Sequence, residues 1–104
     1  MNNPTKNRYV LKLTEDLCAM LLDNYHKAGY SMKKEFVVEE GKKYFKIIHV
    51  GNGRSIHAFV DIQNGDLYKA ASWKAPAKGV RFNLITDAVR LESVIDWAGG
   101  YLYK

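Results

Sequence analysis

Apolar residues in the first third of the chain recur at helical spacing. Leu17, Leu21 and Ala28 fall on one face, and Met20 and Tyr25 widen it. Thr14 precedes this run as an N-cap candidate. Glu15 and Asp16 follow in the first turn, where carboxylates suit the positive end of the helix dipole. Gly29 supplies a stop. The pattern predicts a helix over 15–28, preceded by an extended N-terminal arm, 1–13.

From Lys33 the period drops to two. Phe36-Val37-Val38 reads as a first strand, turned at Glu40-Gly41. Tyr44, Lys46, Ile48 and Val50 alternate with Phe45, Ile47 and His49 in a second. Gly51-Asn52-Gly53 is a tight turn, because these residue types accept positive φ at low cost. Ser55 to Asp61 is a third strand. Asn64-Gly65 is the strongest hairpin signal in the chain, and Asp66 to Ala70 follows it as a fourth. Connections this short make sequential strands antiparallel neighbours. After Ala71 regular patterning stops, and Ser72 to Gly79 reads as an ordered loop with Pro and Gly but no period. A second helix, capped by Asn83 or Thr86, carries Leu84, Ala88, Leu91 and Ile95 on one face and ends at Gly99-Gly100. Tyr101-Leu102-Tyr103 reads as a docked tail or an added edge strand. The predicted class is α+β: an N-terminal helix, a four-stranded antiparallel meander, an ordered basic loop and a C-terminal helix packed on the sheet. A lone sheet must cover its apolar face, and two amphipathic helices can do so.

Composition narrows this without changing it. The 104 residues suit a single domain over 1–104 with one core. With 47% apolar and 26% charged residues the chain is globular rather than disordered. The one cysteine, Cys18, lies in an apolar helical run and reads as a small core residue. Residues 1–6 contain no apolar signal region, and the longest apolar stretch, Leu17 to Leu22, is far below the ~20 residues that span a bilayer. The expectation is a cytosolic protein with no membrane partner. Net charge is +5 and uneven: residues 27–54 carry seven Lys/Arg against three Glu, and 66–81 carry four against one Asp. That balance fits a polyanionic partner or plain solubility.

Common enzymatic signatures are missing. Gly51-Asn52-Gly53 joins two strands, whereas a Walker or Rossmann loop joins a strand to a helix. One cysteine and three scattered histidines spell out no zinc site, and no cofactor is expected. His49 and His57 lie on adjacent predicted strands around a short turn and can share a sheet face. They are the candidate acid/base pair, for phosphodiester cleavage. Ordinary strand hydrogen bonding is the competing reading, since no nucleophile or oxyanion partner accompanies them. Asp61 and Asp66 flank the Asn64-Gly65 hairpin and read as carboxylates that hold turn amides.

The segment Tyr68 to Asn83 interleaves cations with aromatics. Lys69, Lys74, Lys78 and Arg81 can neutralise phosphates. Tyr68, Trp73 and Phe82 offer planar faces, worth ~1–3 kcal/mol for each base stacked. Ser72 and Asn83 add neutral hydrogen-bonding groups. The candidate ligand-binding set is therefore Lys69, Ser72, Trp73, Lys74, Lys78, Arg81 and Asn83. The competing reading makes Trp73 a core plug and Phe82 a helix anchor, with the cations facing water.

The block His57-Ala58-Phe59-Val60-Asp61 together with Gly65 to Leu84, about a quarter of the chain, resembles one carried by small uncharacterised proteins of tailed-bacteriophage genomes. The resemblance implies a viral origin and expression in a bacterial host cytoplasm. It implies no activity and carries over no catalytic residue. The expectation that joins these readings is a small phage-encoded binding protein for a phosphate-bearing ligand, nucleic acid first. The alternatives are a nucleotide-sequestering counter-defence protein and an inhibitor of a host protein. An edge strand of the meander also leaves room for a homodimer.

Overall fold

The computed structural model describes residues 4–103. Helix α1 runs from Pro4 to Lys27, so residues 4–13, expected as an extended arm, are helical; residues 1–3 of that arm lie outside the described residues. The apolar stripe begins earlier than its obvious members, with Val10, and passes through Thr14 to Leu17, Leu21 and Tyr25. Thr14 is fully buried. Its hydroxyl donates to the Val10 carbonyl at 2.8 Å, one turn back along the same helix. A polar residue can therefore occupy a core position, and Thr14 continues the helix where a cap was expected.

The sheet has five strands in sequence order, all antiparallel: β1 Glu35–Glu40, β2 Tyr44–Val50, β3 Arg54–Asp61, β4 Asp66–Lys69 and β5 Phe82–Asn83. The predicted meander is present, with one strand more. The fifth comes from the segment read as a loop. Ala71 and Ser72 donate their N–H groups to the Ala75 carbonyl at 3.0 and 3.1 Å, Ala77 donates to Lys69 O at 2.7 Å, and Arg81 to Leu67 O at 2.8 Å. Ala70 also bridges Pro76. The segment is thus the return arm of an irregular hairpin. Its missing period reflects the interruption between Ala77 and Arg81.

Turn chemistry agrees at Gly65, which has φ +80°, a conformation open chiefly to glycine. The Gly51–Gly53 turn closes otherwise than expected. Gly51 N–H donates to Gly53 O at 2.9 Å, and the positive-φ glycines of the described residues lie elsewhere, at 29, 65, 79 and 99. Asp61 accepts the Gln63 N–H at 2.8 Å, as expected of a turn carboxylate.

Helix α2 is short, Ala88–Val94, and stops before the predicted glycines. The tail forms a 3₁₀ turn, Gly100–Leu102, in place of an edge strand, and buries Tyr101 and Leu102. One core joins the α1 stripe to Phe36, Phe45, Ile47, Ala58, Val60, Leu67 and Phe82 of the sheet, and to Leu84, Leu91, Tyr101 and Leu102. Each fully buried Leu, Ile or Phe there contributes about 1.5–3 kcal/mol. Cys18 belongs to this core. Burial, with Glu15 beside it, pushes its thiol up to about 12, so it stays protonated and unreactive.

Removing the Thr14 hydroxyl leaves the Val10 carbonyl with its helical partner. Thr14→Val is therefore expected to hold stability within about 1 kcal/mol, whereas Thr14→Asn, which adds an amide to the core, loses about 2 kcal/mol or more. Urea midpoints at unchanged m-value check this. A clear loss from the valine variant alone would count against the back-bonded role.

Candidate functional site

Alternation along the strands sorts side chains onto two faces. Phe45, Ile47, Ala58, Val60 and Leu67 meet the helices. On the other face, register places Lys46 beside Phe59 and Phe59 beside Tyr68, flanked by the pairs Tyr44/Asp61, Ile48/Ile56 and Val50/Arg54. Both helices contribute to the core on the first side, so the second face is sealed by its own side chains. Ile48 and Phe59 are nonetheless buried there. The Tyr44 ring meets Phe59 edge-on at 5.7 Å and Tyr68 at 5.9 Å, and Lys43 Nζ lies 5.4 Å over Tyr44. Trp73 reaches onto this face from the hairpin tip, with Lys46 Nζ at 5.3 Å and the Arg54 guanidinium at 5.7 Å from its ring. Such cation–π contacts are worth only about 0.5–1 kcal/mol at exposed sites, and the indole remains 40% exposed. Arg54 also lies 3.9 Å from Glu39.

The residues singled out from the sequence do not form one surface. Trp73 stands on the uncovered face, Ser72 and Lys74 are exposed at the tip, where Ser72 Oγ accepts the Lys74 N–H at 3.3 Å, and Lys78 is exposed on the return arm. Arg81 is a latch. Its Nε donates to Leu102 O at 2.7 Å, and Nη1 donates to Lys78 O and Gly79 O at 2.9 and 2.8 Å, which ties the tail to the hairpin. Asn83 is a structural node. Its Nδ2 donates to Asn64 O at 2.9 Å and Asp66 Oδ1 at 2.8 Å, while its Oδ1 accepts the Ile85 and Thr86 N–H groups. Asp66 thus holds the Asn83 amide in place of a turn amide. Phe82 is buried.

Lys69 goes to the opposite side, into a cleft of ≈ 270 Å³ shared with His49, Ser55, His57, Trp97 and Tyr103. A β-bulge creates it. The β2–β3 register pairs Ile47 with Ala58 but Ile48 with Ile56, leaving His57 as the extra residue, and a bulge re-aims the side chain it carries. His57 consequently points to the helix side, where Phe36 meets it edge-on at 5.5 Å and Tyr101 Oη lies 2.7 Å from its Nε2. Burial, then the neighbouring His49, lowers its pKa to about 4, with Asp96 opposing. His49 faces Ser55 across the strands, its Nδ1 3.3 Å from Ser55 Oγ, and its ring stacks on Phe36 at 5.1 Å. Burial and Lys34 lower its pKa as well. Both imidazoles are therefore neutral near pH 7. Trp97 forms a wall of the cleft and is fixed from behind: its backbone N–H donates to Asn24 Oδ1 at 3.0 Å, Tyr25 and Tyr30 meet its ring at 5.0 and 5.1 Å, and Lys34 Nζ lies 4.6 Å over the ring.

Sequence reading missed Tyr44, Lys46 and Arg54 on one face, and Ser55, Trp97, Tyr101 and Tyr103 around the cleft. The mixed character of the Tyr44-Lys46-Ile48-Val50 series carried a signal for the first set. The second set comes from segments far apart in sequence and left none. Among the described residues no group of three or more His, Cys, Asp or Glu is placed to hold a metal ion, and no helix is long and apolar enough to cross a membrane.

Residues 1–104 match the family model described as Family of unknown function (DUF7717), and the chain belongs to that family. No curated protein and no solved structure matches it.

Two outcomes are expected at these positions. Asn83→Ala removes four hydrogen bonds that join the 64–66 turn to the start of α2, and should lower stability by about 2 kcal/mol in urea melts. For His57, the unfolded chain binds a proton below pH 6.5 that the folded chain refuses until about pH 4. Stability contributed by the neutral ring is thus complete above pH 6.5 and is lost as pH falls through that window, on the order of 3 kcal/mol in all. Unfolding free energies measured between pH 7 and 5 should decline less steeply in His57→Gln; an identical slope would exclude the buried neutral imidazole.

Proposed function

We propose that this member of the family binds single-stranded nucleic acid on the uncovered face of its sheet. Trp73 is the stacking platform in this reading, and Lys43, Lys46 and Arg54 are the phosphate partners. Lys74 extends the positive field from the hairpin tip, and Lys78 from the return arm. One observation carries the reading: Trp73 stays 40% exposed, out of the core, and its ring stands beside Lys46 and Arg54. An indole used only for packing gains most by full burial. A face with Tyr44, Tyr68 and Trp73 spaced among cations suits unstacked bases, which a duplex does not offer. The net charge of +5 favours a polyanion over a neutral partner.

This keeps part of the expected site and revises the rest. Trp73, Lys74, Lys78 and Ser72 stay at or near the surface proposed. Lys69, Arg81 and Asn83 leave it, and Lys43, Lys46 and Arg54 replace them. The setting that accompanies the reading is the one the sequence resemblance implies, a phage-encoded protein acting in the bacterial host cytoplasm.

Fluorescence anisotropy with labelled oligo(dT) and oligo(rU), single-stranded and duplexed, tests the proposal. Affinity for single strands should fall with salt at a log–log slope of about −2 to −3, as expected for three or four phosphate contacts. Trp73→Ala should weaken binding roughly 5- to 150-fold, the equivalent of one lost base stack. Lys46→Ala should weaken it and flatten the slope. Lys27→Ala, the same charge change on α1 where Lys27 pairs with Asp23, should leave it unchanged. No binding at low salt, or a Trp73→Ala variant that binds like the parent, would overturn the proposal.

A further inference from the structure

The histidine cleft lies on the other side of the sheet from Trp73, and the proposed nucleic-acid surface uses none of its side chains. Its lining is specific in type. Lys69 supplies one ammonium, which rests 4.6 Å over the Tyr103 ring and makes no ion pair among the described residues. Ser55 supplies a hydroxyl at the mouth. His57 supplies a ring N–H. Its Nε2 is engaged by Tyr101 Oη at 2.7 Å. Burial raises the Tyr101 pKa, so the phenol keeps its proton. The tautomer this site requires is the one in which the phenol donates to Nε2 and the ring proton sits on Nδ1. That atom lies on the Gly99 side, where a Cβ would stand 3.9 Å away. Gly99 has φ +89° and lines the cleft, so the wall over the ring edge is backbone.

Among the described residues no carboxylate lines the cleft. Asp96, whose charge acts on His57, accepts the Ala98 N–H at 2.8 Å. The lining side chains include one ammonium, one hydroxyl and two imidazoles, and Trp97 and Tyr103 stand as aromatic walls. At ≈ 270 Å³ the cleft is just below the ~300–1,000 Å³ usual for small-ligand pockets, room for one phosphate and one planar ring system but not for a dinucleotide.

We infer that this cleft is a binding site for a phosphomonoester carried on a planar base, with Lys69, Ser55 and the His57 Nδ1–H as the anion donors and Trp97 and Tyr103 flanking the ring. The same chemistry has two sources, a free nucleoside monophosphate and the phosphorylated 5′ end of a strand. The site holds this group without a bond being made or broken.

The test uses the full chain and isothermal titration with adenosine and uridine 5′-monophosphates, the matching nucleosides, and an oligonucleotide with and without a 5′-phosphate. Imidazole resonances of His49 and His57 are followed by NMR in parallel. The expected result is one site per chain for the monophosphates, at least tenfold weaker binding of the nucleosides, and shifts of the His57 ring signals on titration. Lys69→Gln should weaken monophosphate binding at least tenfold with an unchanged melting temperature, and Ser55→Ala should weaken it without altering the fold. Trp73→Ala should leave it intact, which separates failure here from failure of the sheet-face reading. A monophosphate preference shared by the oligonucleotide assigns the site to strand ends; a preference confined to free monophosphates assigns it to nucleotides. Equal binding of nucleosides and monophosphates, absence of binding to every probe, or a Lys69→Gln variant that binds like the parent would overturn the inference.

Discussion

The rest of the structure follows from one constraint: the helices cover one face of the sheet only. The α1 stripe from Val10 to Tyr25 meets Phe36, Phe45, Ile47 and Val60, and α2 and the tail extend the same core. No second layer is left for the other face. Ile48 and Phe59 must still leave water there, and their neighbours exclude it. Long amphipathic side chains can do this, laying an apolar stem or ring over the buried residue while the polar end stays solvated. Tyr44, Tyr68, Lys46 and Trp73 have that character. The residues suited to sealing an uncovered face are also those that carry charge and planar rings, so the proposed recognition would draw on the same side chains as stability.

The hairpin from Tyr68 to Asn83 shows how a pleat redistributes a run of charge. Tyr68 and Lys69 are adjacent in sequence and point to opposite faces, because Tyr68 pairs with Phe59 and Lys69 with Ala58. Further along, Arg81 is drawn into backbone carbonyls of the tail and loop. Asn83 joins the Asn64 turn to the beginning of α2. A segment that is uniformly basic and aromatic along the chain thus supplies one surface, one cleft and two structural ties. Satisfying backbone groups near the tail took precedence over leaving a guanidinium exposed, since an unpaired carbonyl in a partly buried segment costs more than a surface charge gains.

The two histidines meet for a reason that a simple hairpin count does not contain. The short turn alone would have set His49 opposite a residue near 56 or 57. The register instead sets His49 against Ser55, and the extra residue of the bulge swings His57 onto the same side. Tyr101, more than forty positions away in sequence, fixes the ring. The paired imidazoles expected from the sequence are found in one cleft, with Ser55, Lys69 and the tail supplying the neighbours that were not visible beforehand.

Local chemistry was legible from the sequence. Period-two alternation from Phe36 to Ala70, the Asn64-Gly65 hairpin and the short connections determined an antiparallel meander in sequence order, because each depends on residues within a few positions of one another. Helix α1 was legible in its apolar half, and Cys18 as an inert core residue. Tertiary structure alone decided the remainder. Thr14 looks like a cap until its face meets a sheet, and only then does its hydroxyl turn back to Val10. The 70–83 segment has no period because its strand is held by partners on β4 rather than by its own pattern. Trp73 had two readings, core plug and surface platform. The choice between them rested on which face the helices left uncovered, and that depends on the packing of the whole chain rather than on the residues around the indole.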